Sequence, residues 1–173
     1  MELRIRNKWI TLRGSSVVKD ENENDVLKVQ GRFWSLRQRK YICDLDGTRH
    51  FMVRNRFWNF FRRAAFVFDN DKKKVARVRT KFFTVHDHLN VESEFGDIVL
   101  RGNILGFNYS ITLNGKEIGH VARKISLRDS FVLTLDDDQD KYFFTALVIA
   151  LDNISDARRA GGGGHVYDSV LND

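Results

Sequence analysis

The residues with the clearest capacity for chemistry are cations at alternate positions: Arg54 and Arg56 in one segment, Arg77, Arg79 and Lys81 in another. Residues two apart on a strand share a face, so each run would present its charges together. Guanidinium groups grip phosphate oxygens through a planar fork of N–H donors. The same spacing recurs in Arg4, Arg6 and Lys8 and in Lys28, Gln30 and Arg32, while Met52 precedes Arg54, and none of these positions is a carboxylate. The expectation is an outward belt that docks on anionic, phosphoinositide-like lipid headgroups or another phosphate-bearing partner, centred on Arg54, Arg56, Arg77, Arg79 and Lys81. A cation near an anionic membrane contributes about 1 kcal/mol, and screening makes the sum salt-sensitive. The plainer alternative is that outward strand positions are charged for solubility alone.

A second constellation is Asp136-Asp137-Asp138-Gln139-Asp140. Carboxylate oxygens suit calcium, but this run lacks the glycine at loop position six and the closing glutamate of an EF-hand. Capping of the helix that follows is the competing use. His86-Asp87-His88 puts two imidazoles on one side of a strand without the further ligands that zinc requires. Cys43 follows Tyr41 and Ile42 with no histidine beside it to activate a thiolate, and reads as a packing residue. The chain has no phosphate-cradling glycine loop, no Gly-x-Ser-x-Gly elbow and no His-Glu-x-x-His motif. A non-enzymatic binding or scaffold module with no cofactor is therefore expected. Trp9, Trp34 and Trp58 among cations raise nucleic-acid binding by base stacking as an alternative, but their register puts Trp9 on the apolar set and the other two at strand ends.

These groups need elements to hold them, and the chain supplies a repeat. A cation followed by bulky residues recurs as Lys8-Trp9-Ile10, Arg32-Phe33-Trp34, Arg56-Phe57-Trp58 and Lys81-Phe82-Phe83, in steps of 24, 24 and 25 residues. In the same register, apolar residues run into an aspartate at Asp20, Asp44 and Asp69. Asp, Asn and Gly at those points favour turns, so each unit reads as strand, turn, strand. Looser copies follow around Phe95-Gly96-Asp97 and around Asn114-Gly115, a strong hairpin signal. A hairpin cannot bury its own apolar face, so several must assemble into a sandwich or a closed barrel. Alternation puts Leu27, Val29 and Phe33, then Phe51, Val53 and Phe57, then Ala76, Val78 and Phe82 in the core.

The segment 141–151 is apolar nearly all round and predicts a helix buried on every side. Asp140 and its neighbours suit the N-terminus of that helix and Arg158 and Arg159 its C-terminal end. Gly161 to Gly164 should end regular structure, which divides the chain into a domain over 1–157 and a flexible tail over 158–173.

Composition sets the bounds. The 173 residues carry 42% hydrophobic content, enough for one core. Fourteen Phe and no Pro suit a sheet. A single cysteine excludes an internal disulfide, and the charged, alternating N-terminus does not read as a signal peptide. The apolar stretch over 142–154 is shorter than the roughly 20 residues needed to span a bilayer. A cytoplasmic protein with peripheral membrane contact is the expectation, and the net charge of +6 points to anionic partners.

In order and spacing along residues 3–156, the chain resembles the LURP-one-related family of the tubby C-terminal-like superfamily, which also holds the phospholipid scramblases. The resemblance is carried by Ser16-Val17-Val18-Lys19-Asp20-Glu21-Asn22, Val29-Gln30-Gly31-Arg32-Phe33-Trp34-Ser35-Leu36, Leu45-Asp46-Gly47, Arg77-Val78-Arg79-Thr80-Lys81-Phe82 and Leu147-Val148-Ile149-Ala150-Leu151-Asp152-Asn153. It implies a closed antiparallel barrel of twelve strands threaded by the C-terminal helix. For function it implies a binding module, with phosphoinositide headgroups as the ligand of tubby relatives and calcium-linked lipid movement in scramblases. The acidic run before the helix resembles the scramblase arrangement, which keeps Asp136, Asp137, Asp138 and Asp140 open as a calcium candidate. No residue matches the tubby headgroup motif, so no site carries over from it.

Overall fold

Alternation of apolar and polar residues, broken at short Asp-, Asn- and Gly-containing turns, gives a meander of antiparallel strands. The computed structural model describes residues 1–6, 15–31, 39–56, 62–81, 88–104, 106–124 and 130–161. Among them are β1 (Glu2–Arg6), β2 (Ser15–Lys19), β3 (Asp25–Gly31), β4 (Arg39–Cys43), β5 (Arg49–Arg56), β6 (Arg62–Phe68), β7 (Lys74–Lys81), β8 (His88–Ser93), β9 (Ile98–Asn103), β10 (Asn108–Leu113), β11 (Lys116–Lys124), β12 (Ser130–Leu135) and the helix α1 (Lys141–Gly161). Each strand pairs with its neighbours in sequence, and β1 pairs with β12, with Leu3 opposite Leu133, to close the barrel. Of the two assemblies left open by the repeat, the closed one is observed, and it leaves no edge strand exposed.

The inward positions are those that alternation selects: Leu27, Val29, Phe51, Val53, Ala76 and Val78 are all buried. Phe33, Phe57 and Phe82, Trp9, Trp34 and Trp58, and His86 and Asp87 lie outside the described residues. The hairpin at Asn114-Gly115 forms as expected, with both residues at positive φ (50° and 84°). That pair of left-handed residues is the two-residue turn whose twist matches its strands.

The helix runs down the barrel and packs most closely against β5 and β6, with β4 and β7 beside them. Every residue from Phe143 to Ser155 is buried, so the all-round apolar stretch fills the interior. Asp140 caps its start, accepting hydrogen bonds from the backbone N–H of Tyr142 (2.8 Å) and Phe143 (3.1 Å). The helix continues past the expected boundary at residue 157, through Gly161, so Arg158 and Arg159 are helical. Among the described residues, no helix is long and apolar enough to cross a membrane.

Because the strands alternate in direction, the turns after β2, β4, β6, β8 and β10 lie at one end of the barrel, where α1 begins, while the short β9–β10 connection lies at the other. The opposite end carries the other strand termini, and α1 points towards it.

Candidate functional site

The two arginine runs come together on the outer surface of the barrel, separated by β6. Arg54 lies across from Phe66, and Phe66 across from Arg77; Arg56 lies across from Ala64, and Ala64 across from Arg79. The runs are thus two strand spacings apart, about 9.5 Å. Arg54 holds its guanidinium over the Phe68 ring at 4.7 Å, and Arg77 over Phe66 at 5.8 Å. A guanidinium over a ring is held by the ring quadrupole while its edge N–H groups can still meet an acceptor. Arg56 and Lys81 are placed by their backbones towards the ends of β5 and β7; their side chains lie outside the described atoms.

Sequence reasoning missed Arg39. It faces Arg54 directly across the β4–β5 pair, and like charges in that position repel. Among the described residues, no carboxylate pairs with either. Its signal was present, two residues before the outward Tyr41 in β4, but the pairing that sets it against Arg54 is not local. Arg49 adds a further contact of the same kind, over the Tyr41 ring at 4.3 Å.

The expected freedom of this face from acids needs correction. Glu92 of β8 pairs with Arg79 at 3.0 Å and with Arg77 at 3.4 Å. The carboxylate comes from the neighbouring strand, which the segments holding the cations do not reveal. Arg4 is likewise engaged, with Glu2 at 2.9 Å and with Glu23. Arg39 and Arg54, by contrast, have no carboxylate partner among the described residues.

The four aspartates considered for calcium are engaged separately. Asp136 pairs with Lys116 (3.0 Å), Asp137 with the Met1 ammonium (2.6 Å), Asp138 accepts from Gln139 (2.9 Å), and Asp140 caps α1. The Met1 ammonium holds the Asp137 carboxyl below the usual carboxylate range. Among the described residues, no group of three or more His, Cys, Asp or Glu side chains converges as a metal site would need. His88 is exposed at the start of β8. Cys43 is fully buried, and burial pushes its thiol up, away from the thiolate that reactivity requires.

Two polar arrangements escaped the sequence. At the turn end, Asp44 accepts hydrogen bonds from Tyr142 and from His50 (2.9 Å), while the His50 and Tyr142 rings stack at 3.9 Å. Inside the barrel, Asp152 is buried and lies 3.7 Å from Lys40, an inward-facing residue of β4. The Tyr109 hydroxyl is buried without a hydrogen-bond partner among the described residues, and burial first, then the Asp152 charge, pushes its ionisation up.

A family model described as LURP-one-related matches residues 1–152 of the chain. The X-ray structure of a protein from Arabidopsis thaliana superposes with a TM-score of 0.53 at 18% identity, over 88% of this chain and 90% of that one. At such identity the likeness speaks for the fold. No curated protein is similar enough to match.

Proposed function

The chain belongs to the LURP-one-related family, and on that premise we propose that it is a non-enzymatic module that associates peripherally with anionic lipid headgroups through its outward arginines. The observation that carries this reading is the register that sets Arg39 opposite Arg54 on one outer face, with no ion pair to a carboxylate for either among the described residues. An anionic phosphate reaching both would offset their repulsion with charge-assisted hydrogen bonds. Arg77 and Arg79 extend the patch across β6, though Glu92 already compensates them in part. Half-buried Met52, Phe66, Phe68 and Tyr41 lie among the cations and give the face an apolar component that a headgroup region can accept.

The test is sedimentation with vesicles of phosphatidylcholine alone, with added phosphatidylserine and with added phosphoinositide, each at low and physiological salt. Binding that requires the anionic lipid and weakens with salt is the expected result. Equal pelleting with neutral vesicles, or none with any, would remove the proposal.

A further inference from the structure

The arginines on the outside of the barrel are held in two ways. Arg77 and Arg79 meet the carboxylate of Glu92, and Arg4 meets those of Glu2 and Glu23. A carboxylate fixes a guanidinium but offsets its charge. Arg49 and Arg54 are held by aromatic rings instead, Arg49 over Tyr41 at 4.3 Å and Arg54 over Phe68 at 4.7 Å. Among the described residues, neither has an ion pair to a carboxylate. The ring face attracts the cation through its quadrupole and leaves the net charge in place, while the guanidinium keeps its edge of N–H donors for an acceptor.

The two rings belong to one register row. Tyr41 of β4 lies across from Met52 of β5, and Met52 across from Phe68 of β6, so the rings stand two strand spacings apart, about 9.5 Å. Met52 occupies the position between them. All three side chains are half-buried, and their chain neighbours Ile42, Phe51, Val53 and Val67 point into the core. The row is therefore an apolar shelf with a guanidinium over each end. Arg49 is exposed and Arg54 half-buried. A long exposed side chain is otherwise free to sample many rotamers, and ordering it on a ligand costs entropy.

From this arrangement we infer that Tyr41 and Phe68 are positioning residues of the lipid site, holding the Arg49 and Arg54 guanidiniums over the row with Met52 so that their donor edges meet headgroup phosphates, and that Arg49 is a further contact residue of that site. The inference rests on the lipid-binding reading above and adds how the site is organised. A surface charged for solubility alone needs no such hold. Where binding depends on it, part of the ordering cost is met before the ligand arrives. A lysine carries the same charge, but its ammonium is a strongly hydrated point without a planar fork, so it would not replace the arginine.

The experiment compares charge-conserving variants by sedimentation with phosphatidylserine vesicles, with unfolding midpoints measured in parallel. Tyr41→Leu/Phe68→Leu removes both rings and keeps an apolar side chain at each position. Tyr41→Phe/Phe68→Tyr keeps both rings, and Arg49→Lys/Arg54→Lys keeps the charge without the forks. The ring-free and lysine variants should each bind about fivefold more weakly than wild type, and the ring-keeping variant within about twofold of it. Should the ring-free variant fail to fold, the lysine variant decides, since its changes lie outside the core. Undiminished binding by the lysine variant or by a folded ring-free variant, or an equal loss in the ring-keeping one, overturns the positioning role while leaving lipid binding intact. No sedimentation of the wild type with these vesicles overturns the lipid reading and the positioning role with it.

Discussion

The phenol of Tyr142, in the first turn of the helix, donates a hydrogen bond to the carboxylate of Asp44, 98 residues earlier in the turn between β4 and β5. His50 binds the same carboxylate and stacks on the phenol ring, so the entry of the helix is fastened to one hairpin of the barrel. Removing the hydroxyl in Tyr142→Phe keeps the stacked ring and deletes one hydrogen bond. We expect a loss of about 1 kcal/mol in unfolding free energy, read as a lower urea midpoint at unchanged slope.

The same contact predicts a pH window. Hydrogen bonds from Tyr142 and then His50 hold Asp44 below the usual carboxylate range, so its contribution is full above the unfolded carboxylate value, near 3.8, and fades as pH falls through the lower folded value. Burial, then the Asp44 hydrogen bond, pushes Tyr142 up to about 12. A raised phenol contributes fully below its unfolded value of about 10, and that contribution disappears as pH rises towards 12. The stability difference between wild type and Tyr142→Phe should therefore be flat from about pH 5 to 9 and shrink on both sides. A difference that stays constant into strong acid and strong base would exclude the contact as its source.

Packing predicts a larger effect at Gly119. A Cβ there would come within 2.1 Å of the Thr134 carbonyl oxygen on the paired strand, beside the irregularity in the β10–β11 ladder. The neighbour is backbone and cannot swing aside, so Gly119→Ala should cost about 3 kcal/mol, whereas Gly47→Ala meets nothing within 4 Å and pays only the strain of its positive φ. Thermal unfolding of the two variants side by side measures the contrast.

The Tyr109 hydroxyl gives the opposite sign. It is buried without a partner among the described residues, and an unmade hydrogen bond in an apolar setting is a cost. Tyr109→Phe should leave stability unchanged or raise it by up to about 1 kcal/mol. A clear loss in chemical denaturation would show that the hydroxyl is bonded in solution.

Much of this architecture could be read from spacing. Cations and aspartates recurring every two dozen residues or so marked the hairpins, period-two alternation chose Leu27, Val53 and Val78 for the core, and the uniform apolarity around Leu147 demanded burial. Those signals are local, a few residues long. The contacts that escaped join distant segments: Tyr142 with Asp44, Glu92 with Arg77 and Arg79, Arg39 with Arg54. Only the strand order and register bring them together, and a register shift of one residue would have turned each to the other face. The acidic turns stood in the sequence as well, but only the up-and-down order shows that they share one end.

The central claim is that the outward arginines meet an anionic surface, and paired neutralisation tests it most directly. Arg39→Gln/Arg54→Gln removes two cations of that face, while Asp46→Asn/Asp71→Asn removes two acids from the turn end. At about 1 kcal/mol for each cation near the surface, the first variant should bind phosphatidylserine vesicles roughly 30-fold more weakly than wild type, and the second should bind within about twofold of it. Undiminished binding by Arg39→Gln/Arg54→Gln, with its fold confirmed by an unchanged unfolding midpoint, would contradict the account.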